Sequence, residues 1–232
     1  MNDKILIIVH QENSTPGRIG QALEDRGFQL DIRRPRFGDP LPQCMGDHFG
    51  AVVFGGPMSV NDKEAYIRRE IDWIKVPLKH DRPFLGVCLG AQMLAMHLGT
   101  RVYEHRHGAV EIGYYPIRPT EPGAQICDWP GHVYQWHREG NDLPCGATLL
   151  AQGDTFECQA FQYGRTGFAV QFHAEVTLAM LHKWTVRGAP RLAMKGAQSR
   201  ADHFAGRAIH DTRVKQWLDD FIDHWIALGR GP

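Results

Sequence analysis

The sequence predicts an α/β fold, in which an open, mostly parallel twisted sheet has helices on both faces and an antiparallel extension. Short apolar runs alternate with segments of helical periodicity over residues 5–87, as expected for parallel strands joined by helices. Over residues 101–172 the pattern changes to short alternating pieces, which are typical of antiparallel strands. A chain of 232 residues can bury the sizeable core that such a sheet needs.

The first half of the chain is predicted to supply the parallel strands and the helices between them. The predicted strands are residues 5–10, 29–33, 51–54 and 83–87, and the predicted helices are residues 17–26 and 64–76. Gly27 is expected to end the first helix, because glycine readily adopts the left-handed conformation found after helix ends. Pro77 is expected to end the second, because proline has no N–H to donate within a helix.

The second half is predicted to supply the antiparallel extension and a final helix. The alternating pieces are residues 110–117, 133–136, 148–151 and 158–162. Residues 212–228 have an apolar stripe, a cap at Asp211 or Thr212 and an end at Gly229, which predicts a helix packed on the sheet. Residues 188–210 have poor periodicity and form either a loose helical segment or a surface for a partner. We expect residues 1–232 to form one domain of flavodoxin-like architecture, with residues 188–232 as a C-terminal helical extension.

Composition excludes several classes of function. The 26 basic and 26 acidic residues are interspersed and cancel, so we expect neither nucleic acid nor a membrane surface as a partner. The apolar run at the N-terminus is too short for a signal peptide, and no later run is long enough to span a membrane. Five cysteines without a Cys-x-x-Cys pair argue against disulfides and against a zinc site. We therefore expect a cytoplasmic protein with reduced thiols, no metal and no cofactor.

Cys88 is the candidate nucleophile. It lies between Gly86 and Gly90, where an apolar strand gives way to a helical pattern. A strand that turns abruptly into a helix holds the residue at the turn in a strained conformation, and its neighbours must be small. The unpaired N–H groups at the start of the helix favour the thiolate. A single cysteine is often only a buried apolar residue, so a second site must decide between the two interpretations.

That second site is an alternating segment, residues 168–172, which ends in His173-Ala174-Glu175. Side chains at i and i+2 of an extended chain point to the same side, so His173 and Glu175 can lie together. A thiol nucleophile needs a base to accept its proton and a third group to orient that base. Cys88, His173 and Glu175 can fill these three roles.

The Gly55-Gly56-Pro57 loop after the third predicted strand is the candidate oxyanion site. Attack on an amide places negative charge on the carbonyl oxygen, and main-chain N–H groups aimed at that oxygen stabilise the transition state. We assign this role to the N–H groups of Gly56 and Leu89. A Gly-Gly-Pro sequence alone is weak support, because most such tripeptides are only turns.

Three motifs together resemble the signatures of class I glutamine amidotransferases, closest to the glutaminase domain of GMP synthetases. They are Gly55-Gly56-Pro57-Met58-Ser59-Val60, Gly86-Val87-Cys88-Leu89-Gly90-Ala91-Gln92 and Gln171-Phe172-His173-Ala174-Glu175. The resemblance covers residues 1 to about 185. It implies that Cys88 attacks the side-chain amide of glutamine, that His173 and Glu175 complete the triad, and that a γ-glutamyl thioester is hydrolysed. Ammonia would then pass to a synthetase, here a possible separate subunit.

The resemblance also implies residues that hold glutamine. These are Gly55, Gln92, Trp136 and His137, the last two within a segment similar to the family's substrate-side loop. Ala174 stands where the family usually has proline, and Arg138-Glu139 follows His137 where Gly-Asp is commoner. The second departure leaves the acceptor or the substrate open.

Two alternative functions remain at this stage. The same thioester chemistry could hydrolyse γ-glutamyl peptides or conjugates. An amidotransferase-like module could also bind a partner or a small ligand without turnover, although the complete Cys88, His173 and Glu175 set argues against this. The sequence leaves the oligomeric state open.

Overall fold

The computed structural model describes residues 3–231. The strands are β1 Lys4–Ile8, β2 Gln29–Arg33, β3 His48–Val53, β4 Phe84–Val87, β5 Val102–Glu104, β6 Glu111–Pro116, β7 Arg118–Pro119, β8 His132–His137, β9 Glu139–Asn141, β10 Ala147–Gln152, β11 Cys158–Tyr163 and β12 Gly167–Val170. The helices are α1 Gly17–Asp25, α2 Ala65–Trp73, α3 Lys75–Lys79, α4 Leu89–His97, α5 Glu121–Ala124, α6 Leu178–Arg187 and α7 Arg200–Arg230, and two 3₁₀ turns lie at Pro35–Phe37 and Ala189–Ala193. Among these residues, no helix combines the length and the apolar character needed to cross a membrane.

The strands of the main sheet confirm the predicted fold class. Eight strands form this sheet in the order β2-β1-β3-β4-β12-β11-β10-β7. The first five in this order are mutually parallel, and β11, β10 and β7 continue the sheet in antiparallel pairing. Strand β4, which leads to Cys88, lies in the interior of the sheet, between β3 and β12.

Helices cover both faces of the sheet, as the alternation along β1 shows. Ile5 and Ile7 pack into a core with the apolar residues of α1 and α7. Leu6 and Ile8 point to the opposite face and pack with α2 and α4. Successive side chains of a strand alternate between faces, so a strand covered on both sides must be continuously apolar. This explains the unbroken apolar run that predicted the strand.

Two of the four predicted antiparallel pieces do not extend the sheet. Strands β6 and β8 pair with each other in a separate ribbon, and β5 and β9 form a second one. The ribbon of β6 and β8 packs against α7: Tyr134 lies 2.9 Å from His203 through its hydroxyl and Nδ1, and the Tyr114 ring lies against Gly206. The prediction that residues 110–117 and 133–136 join the sheet is therefore wrong, because a helix covers their apolar side chains.

The predicted helix at residues 64–76 ends earlier than expected. Helix α2 ends at Trp73, and Pro77 lies inside the following short helix α3. Proline cannot donate to the carbonyl four residues earlier, and that carbonyl belongs to Trp73. Pro77 therefore interrupts the helix four residues before its own position, and it then fits the first turn of α3, where no intrahelical N–H is needed.

Helix α7 is longer than predicted. It spans 31 residues from Arg200 to Arg230, and Ser199 and Asp202 form a capping box at its start. The predicted stripe from Trp217 to Ile226 is buried on the sheet. Much of the first third of the helix is exposed, so its sequence has little apolar periodicity, although His203 is fully buried. The division of the chain into a single domain with an extension stays a prediction.

Trp217 links this helix to the end of β12. Its ring contacts Phe172, which directly precedes His173, at a centroid distance of 5.1 Å, and Trp129 at 5.1 Å. Trp217 is 1% exposed. The position of His173 therefore depends on how α7 packs.

We predict that Trp217→Ala lowers the free energy of unfolding by about 3–5 kcal/mol, because it leaves a large cavity beneath the sheet. Ile209→Ala, on the same helix but 71% exposed, is the matched control and should change it by less than about 0.5 kcal/mol. Urea denaturation of both variants measures the difference. Equal losses for the two variants would show that α7 does not pack through Trp217.

Candidate active site

Cys88 occupies the sharp turn between β4 and α4. Its backbone angles are φ 51° and ψ −104°, in the left-handed range that residues with a side chain rarely adopt. The turn is closely packed, since a Cβ on Gly90 would collide with the main-chain oxygen of Val53 and a Cβ on Gly86 with the backbone of Gly90. The Gly-x-Cys-x-Gly sequence thus has the backbone geometry expected of a nucleophile elbow.

His173 follows β12, the strand beside β4. Its Nδ1 lies 2.7 Å from Oε1 of Glu175, and both side chains are buried. Because a carboxylate accepts hydrogen bonds, Nδ1 carries a proton and donates a hydrogen bond to Glu175. The main-chain N–H of His173 donates to the oxygen of Tyr134 at 2.8 Å, and the Trp184 ring packs edge-on against the imidazole at 4.9 Å.

The environment of His173 favours its protonated form. Burial alone would lower the pKa of His173, but the negative charges of Glu175 and Cys88, together with hydrogen bonds to both, raise it to about 10. The negative charges beside the ring therefore favour the imidazolium over the neutral imidazole.

The Gly55-Gly56 loop passes beside both groups. A Cβ built on Gly55 would lie 2.9 Å from Cε1 of His173 and 3.4 Å from Cβ of Cys88. A Cβ on Gly56 would lie 3.1 Å from the side chain of Leu89, the first residue of α4. The loop therefore packs closely against Cys88, His173 and the start of α4, and a Cβ on Gly55 would crowd the imidazole.

A cavity of about 450 Å³ opens onto this group of residues. Of the residues predicted from the sequence, Gly55, Gly56, Cys88, Trp136, His173 and Glu175 line it. Trp184, Met180 and Thr177 of the α6 region also face it. Within residues 3–231 no cluster of three or more His, Cys, Asp or Glu side chains could hold a metal ion.

Gln92 and His137 lie outside this cavity. Gln92 donates through Nε2 to the main-chain oxygen of Glu139 at 2.8 Å and to Oε1 of Gln171 at 3.1 Å. His137 contacts Glu111 at 3.0 Å and the main-chain oxygen of Glu139 at 2.9 Å. The expectation that these two side chains touch the substrate is not supported by their positions, because both are committed to hydrogen bonds beneath the site. They position the strands around Trp136 instead.

The departure at Arg138-Glu139 has a structural explanation. Glu139 is buried and accepts a hydrogen bond from the hydroxyl of Ser59 at 2.8 Å. Ser59 belongs to the loop that contains Gly55 and Gly56. Glu139 therefore ties this loop to β9.

Two features around the cavity are not predicted from the sequence. His10, two residues beyond the end of β1, is fully buried and contacts the carbonyl oxygen of Gly55. Its position after a parallel strand could have identified it, since ligands of such sheets bind beyond the carboxyl ends of the strands. The cations Lys183, Arg187 and Arg191 also line the cavity. Only the fold shows that they face the nucleophile, because α6 and the 3₁₀ turn after it have no local pattern that points to this site.

Comparison with known proteins places the chain among similar sequences and structures. A model of the family "Glutamine amidotransferase class-I" matches residues 8–185. The glutamine amidotransferase-like protein YfeJ of Salmonella typhimurium is 31% identical over 185 residues, which cover 75% of this chain and 77% of YfeJ. One chain of the glutamine-hydrolysing GMP synthase of Thermoplasma volcanium is 30% identical over 131 residues, covering 55% of this chain and 62% of that one. The crystal structure of a glutamine amidotransferase from Thermotoga maritima has a TM-score of 0.87 at 27% identity, covering 97% of this chain and 99% of the Thermotoga chain.

We predict that the imidazole of His173 titrates with a pKa of about 10 and that Cys88→Ala lowers this pKa, because it removes one of the two negative charges beside the ring. NMR titration of ring-labelled histidine measures both values. The ring of His224 in α7, whose pKa is lowered by burial, is the internal control and should titrate identically in the two proteins. An unchanged pKa of His173 in Cys88→Ala would mean that the thiolate and the imidazolium do not interact.

Proposed function

The chain belongs to the class I glutamine amidotransferase family, and from this premise we propose that it hydrolyses the side-chain amide of glutamine through a cysteinyl γ-glutamyl thioester. The observation that carries the proposal is the meeting of Cys88, His173 and Glu175 at one cavity, with His173 bonded to Glu175 at 2.7 Å. Nucleophile, base and orienting group are the three parts that such a reaction needs.

Acylation begins with attack by the Cys88 sulfur on the δ-carbonyl carbon of glutamine. The negative charge that forms on the carbonyl oxygen is held by the N–H groups of Gly56 and Leu89. His173 then gives its Nε2 proton to the amide nitrogen, the C–N bond breaks and ammonia leaves. Glu175 keeps Nδ1 protonated and holds the ring in position throughout.

Deacylation reverses the roles. Neutral His173 accepts a proton from water, whose oxygen attacks the thioester carbon. The same N–H groups hold the oxyanion, the C–S bond breaks and glutamate leaves. The Cys88 thiolate and the His173 imidazolium are thereby restored, and no cofactor enters the cycle.

The remaining assignments follow from positions around the cavity. Gly55 and Trp136 face the substrate, whereas Gln92 and His137 hold the strands beneath it. The Thermoplasma volcanium relative is one of the separate chains of a GMP synthase, which supports delivery of the ammonia to a separate synthetase chain. Reduced cysteines and the thiolate mechanism support a cytoplasmic location.

We predict that Cys88→Ala and Cys88→Ser abolish release of glutamate from glutamine and that His173→Ala is severely impaired. Glu175→Gln should lower kcat by about 10²–10⁴-fold, because the imidazolium loses its charged partner while the side-chain shape is kept. Glutamate and ammonia are measured together in a coupled assay. Cys44→Ser and Cys145→Ser, which change exposed thiols, are the controls and should keep wild-type rates. Ammonia release by Cys88→Ala would contradict the mechanism.

A further inference from the structure

The catalytic cavity continues into a second depression of about 250 Å³. The two share four lining residues, Gln11, Asn13, Lys183 and Arg187. Arg36 and Phe37 lie at the far end, and the Phe37 ring is 55% exposed. A continuous groove therefore leads from Cys88 past α6 to the 3₁₀ turn after β2.

This groove has an excess of positive charge that the protein does not neutralise. Lys183, Arg187, Arg191 and Arg36 line it, and within residues 3–231 none of the four forms an ion pair with a carboxylate. Lys183 donates only to the main-chain oxygen of Asn13. Other arginines of the chain do form such ion pairs, as with Arg26–Asp223 and Arg213–Asp128. The acidic residues that line the groove are Glu175, which is bonded to His173, and Glu12.

The groove also holds more cations than glutamine requires. The α-carboxylate of glutamine needs one cation, which leaves the others without a ligand. Unpaired cations in a groove that leads away from the nucleophile are suited to bind a carboxylate on the far side of the amide bond.

We propose that the same site also accepts γ-glutamyl amides whose amine half carries at least one carboxylate, that is, γ-glutamyl amino acids or short γ-glutamyl peptides. This deepens the proposed function and rests on it, because Cys88 performs the same acyl transfer. The C–N bond breaks, the amine takes the His173 proton and leaves along the groove, and water completes the hydrolysis to glutamate. The carboxylate of the leaving amine is held by Lys183 and Arg187, with Arg36 available to a second one.

A substrate series tests this assignment. It consists of glutamine, γ-glutamyl-methylamide, γ-glutamyl-glycine and γ-glutamyl-glutamate, whose leaving groups carry no, no, one and two carboxylates. We expect kcat/KM to rise by about 2–5-fold with each added carboxylate, the range for partly exposed ion pairs, and the increase to diminish at high salt. The double variant Arg36→Ala/Arg187→Ala should lower the ratio of γ-glutamyl-glutamate to γ-glutamyl-methylamide. Arg106→Ala, which changes an exposed arginine outside the groove, is the control and should leave the ratio unchanged.

The outcomes separate two failures. Equal kcat/KM values for the neutral and charged amides, or a ratio unchanged in the double variant, would overturn the groove assignment while the glutaminase proposal stands. If no amide is hydrolysed, the proposed function fails, and calorimetric binding of γ-glutamyl-glutamate to Cys88→Ala still tests the groove. Weaker binding after the two arginine substitutions supports the assignment, and unchanged or undetectable binding overturns it.

The fully buried His10 lies between Glu70 and the Gly55-Gly56 loop. Its Nε2 lies 2.7 Å from Oε2 of Glu70, and its Nδ1 lies 3.2 Å from the carbonyl oxygen of Gly55. Glu70 lies on α2 and is 1% exposed. A carbonyl oxygen can only accept, so Nδ1 carries a proton whether the proton between Nε2 and Oε2 belongs to the ring or to the carboxyl group.

This hydrogen bond fixes the orientation of a peptide bond. The Gly55–Gly56 peptide is trans, so its C=O and N–H point in opposite directions. With the oxygen of Gly55 held toward His10, the N–H of Gly56 is aimed away from His10. Two successive glycines rotate more freely than other residues, so without such an anchor this peptide can turn over.

We infer that His10, held by Glu70, is a positioning residue for the proposed oxyanion donor at Gly56. The inference rests on the proposed acyl transfer but on none of the groove residues. An asparagine amide nitrogen can occupy the place of Nδ1, whereas a glutamine amide nitrogen reaches the place of Nε2. His10→Asn and His10→Gln, each combined with Glu70→Gln to avoid an unpaired buried carboxylate, therefore form a matched pair.

The test compares hydrolysis with alkylation of the same thiol. Hydrolysis of glutamine places charge on a carbonyl oxygen, whereas alkylation of Cys88 by iodoacetamide does not. We expect His10→Gln/Glu70→Gln to lose about 10²-fold in kcat relative to His10→Asn/Glu70→Gln, the effect of one oxyanion donor, with equal alkylation rates in both. Equal kcat values, or a parallel fall in alkylation, would overturn the inference. If the wild type has no glutaminase activity, a crystal structure of His10→Gln/Glu70→Gln shows the orientation of the Gly55–Gly56 peptide directly. An unchanged orientation of this peptide would also overturn the inference.

Discussion

The strained backbone of Cys88 is the constraint on which the rest of the site depends. A residue with a side chain at φ 51° is disfavoured by about 1–3 kcal/mol, so the surrounding structure must hold it there. Strand β4 supplies this support, because β3 and β12 bind it on both edges and the main-chain N–H of Cys88 donates to Val170 at 2.8 Å. The glycines at 86 and 90 let the turn close against β3. The sheet thereby holds the Cys88 thiol at the start of a helix and at the wall of the cavity.

The parallel strands around β4 gather the other groups at the same edge. The carboxyl ends of neighbouring parallel strands meet at one edge of a sheet. His10 follows β1, the Gly55-Gly56 loop follows β3, Cys88 follows β4 and His173 follows soon after β12. Residues far apart in the chain thus meet without any long loop reaching across the molecule. Helix α7 fixes the last of these ends through the contact of Trp217 with Phe172.

The fold and the meeting of Cys88, His173 and Glu175 at one cavity could be predicted from the sequence because their signals are local. Strands such as β2 are defined by a few adjacent side chains, and the elbow by the glycines beside Cys88. The pairing of β6 with β8 depends on what covers Tyr114 and Tyr134, which no local pattern reveals. The early part of α7 lacked an apolar stripe because it is largely exposed, although Ser199 and Asp202 carried a capping signal. The orientation of Gln92 and the missing partners of Arg187 are properties of the folded surface and not of any segment.

Covalent labelling with diazo-oxo-norleucine, a reactive glutamine mimic, followed by peptide mass spectrometry shows whether Cys88 reacts within a glutamine site. We expect one adduct, on the buried Cys88, that forms more slowly when glutamine is present, while the exposed Cys44 and Cys145 stay unmodified. Labelling of the exposed cysteines with Cys88 untouched, or labelling of Cys88 that glutamine does not slow, would contradict the claim that this thiol acts as a nucleophile in a glutamine site.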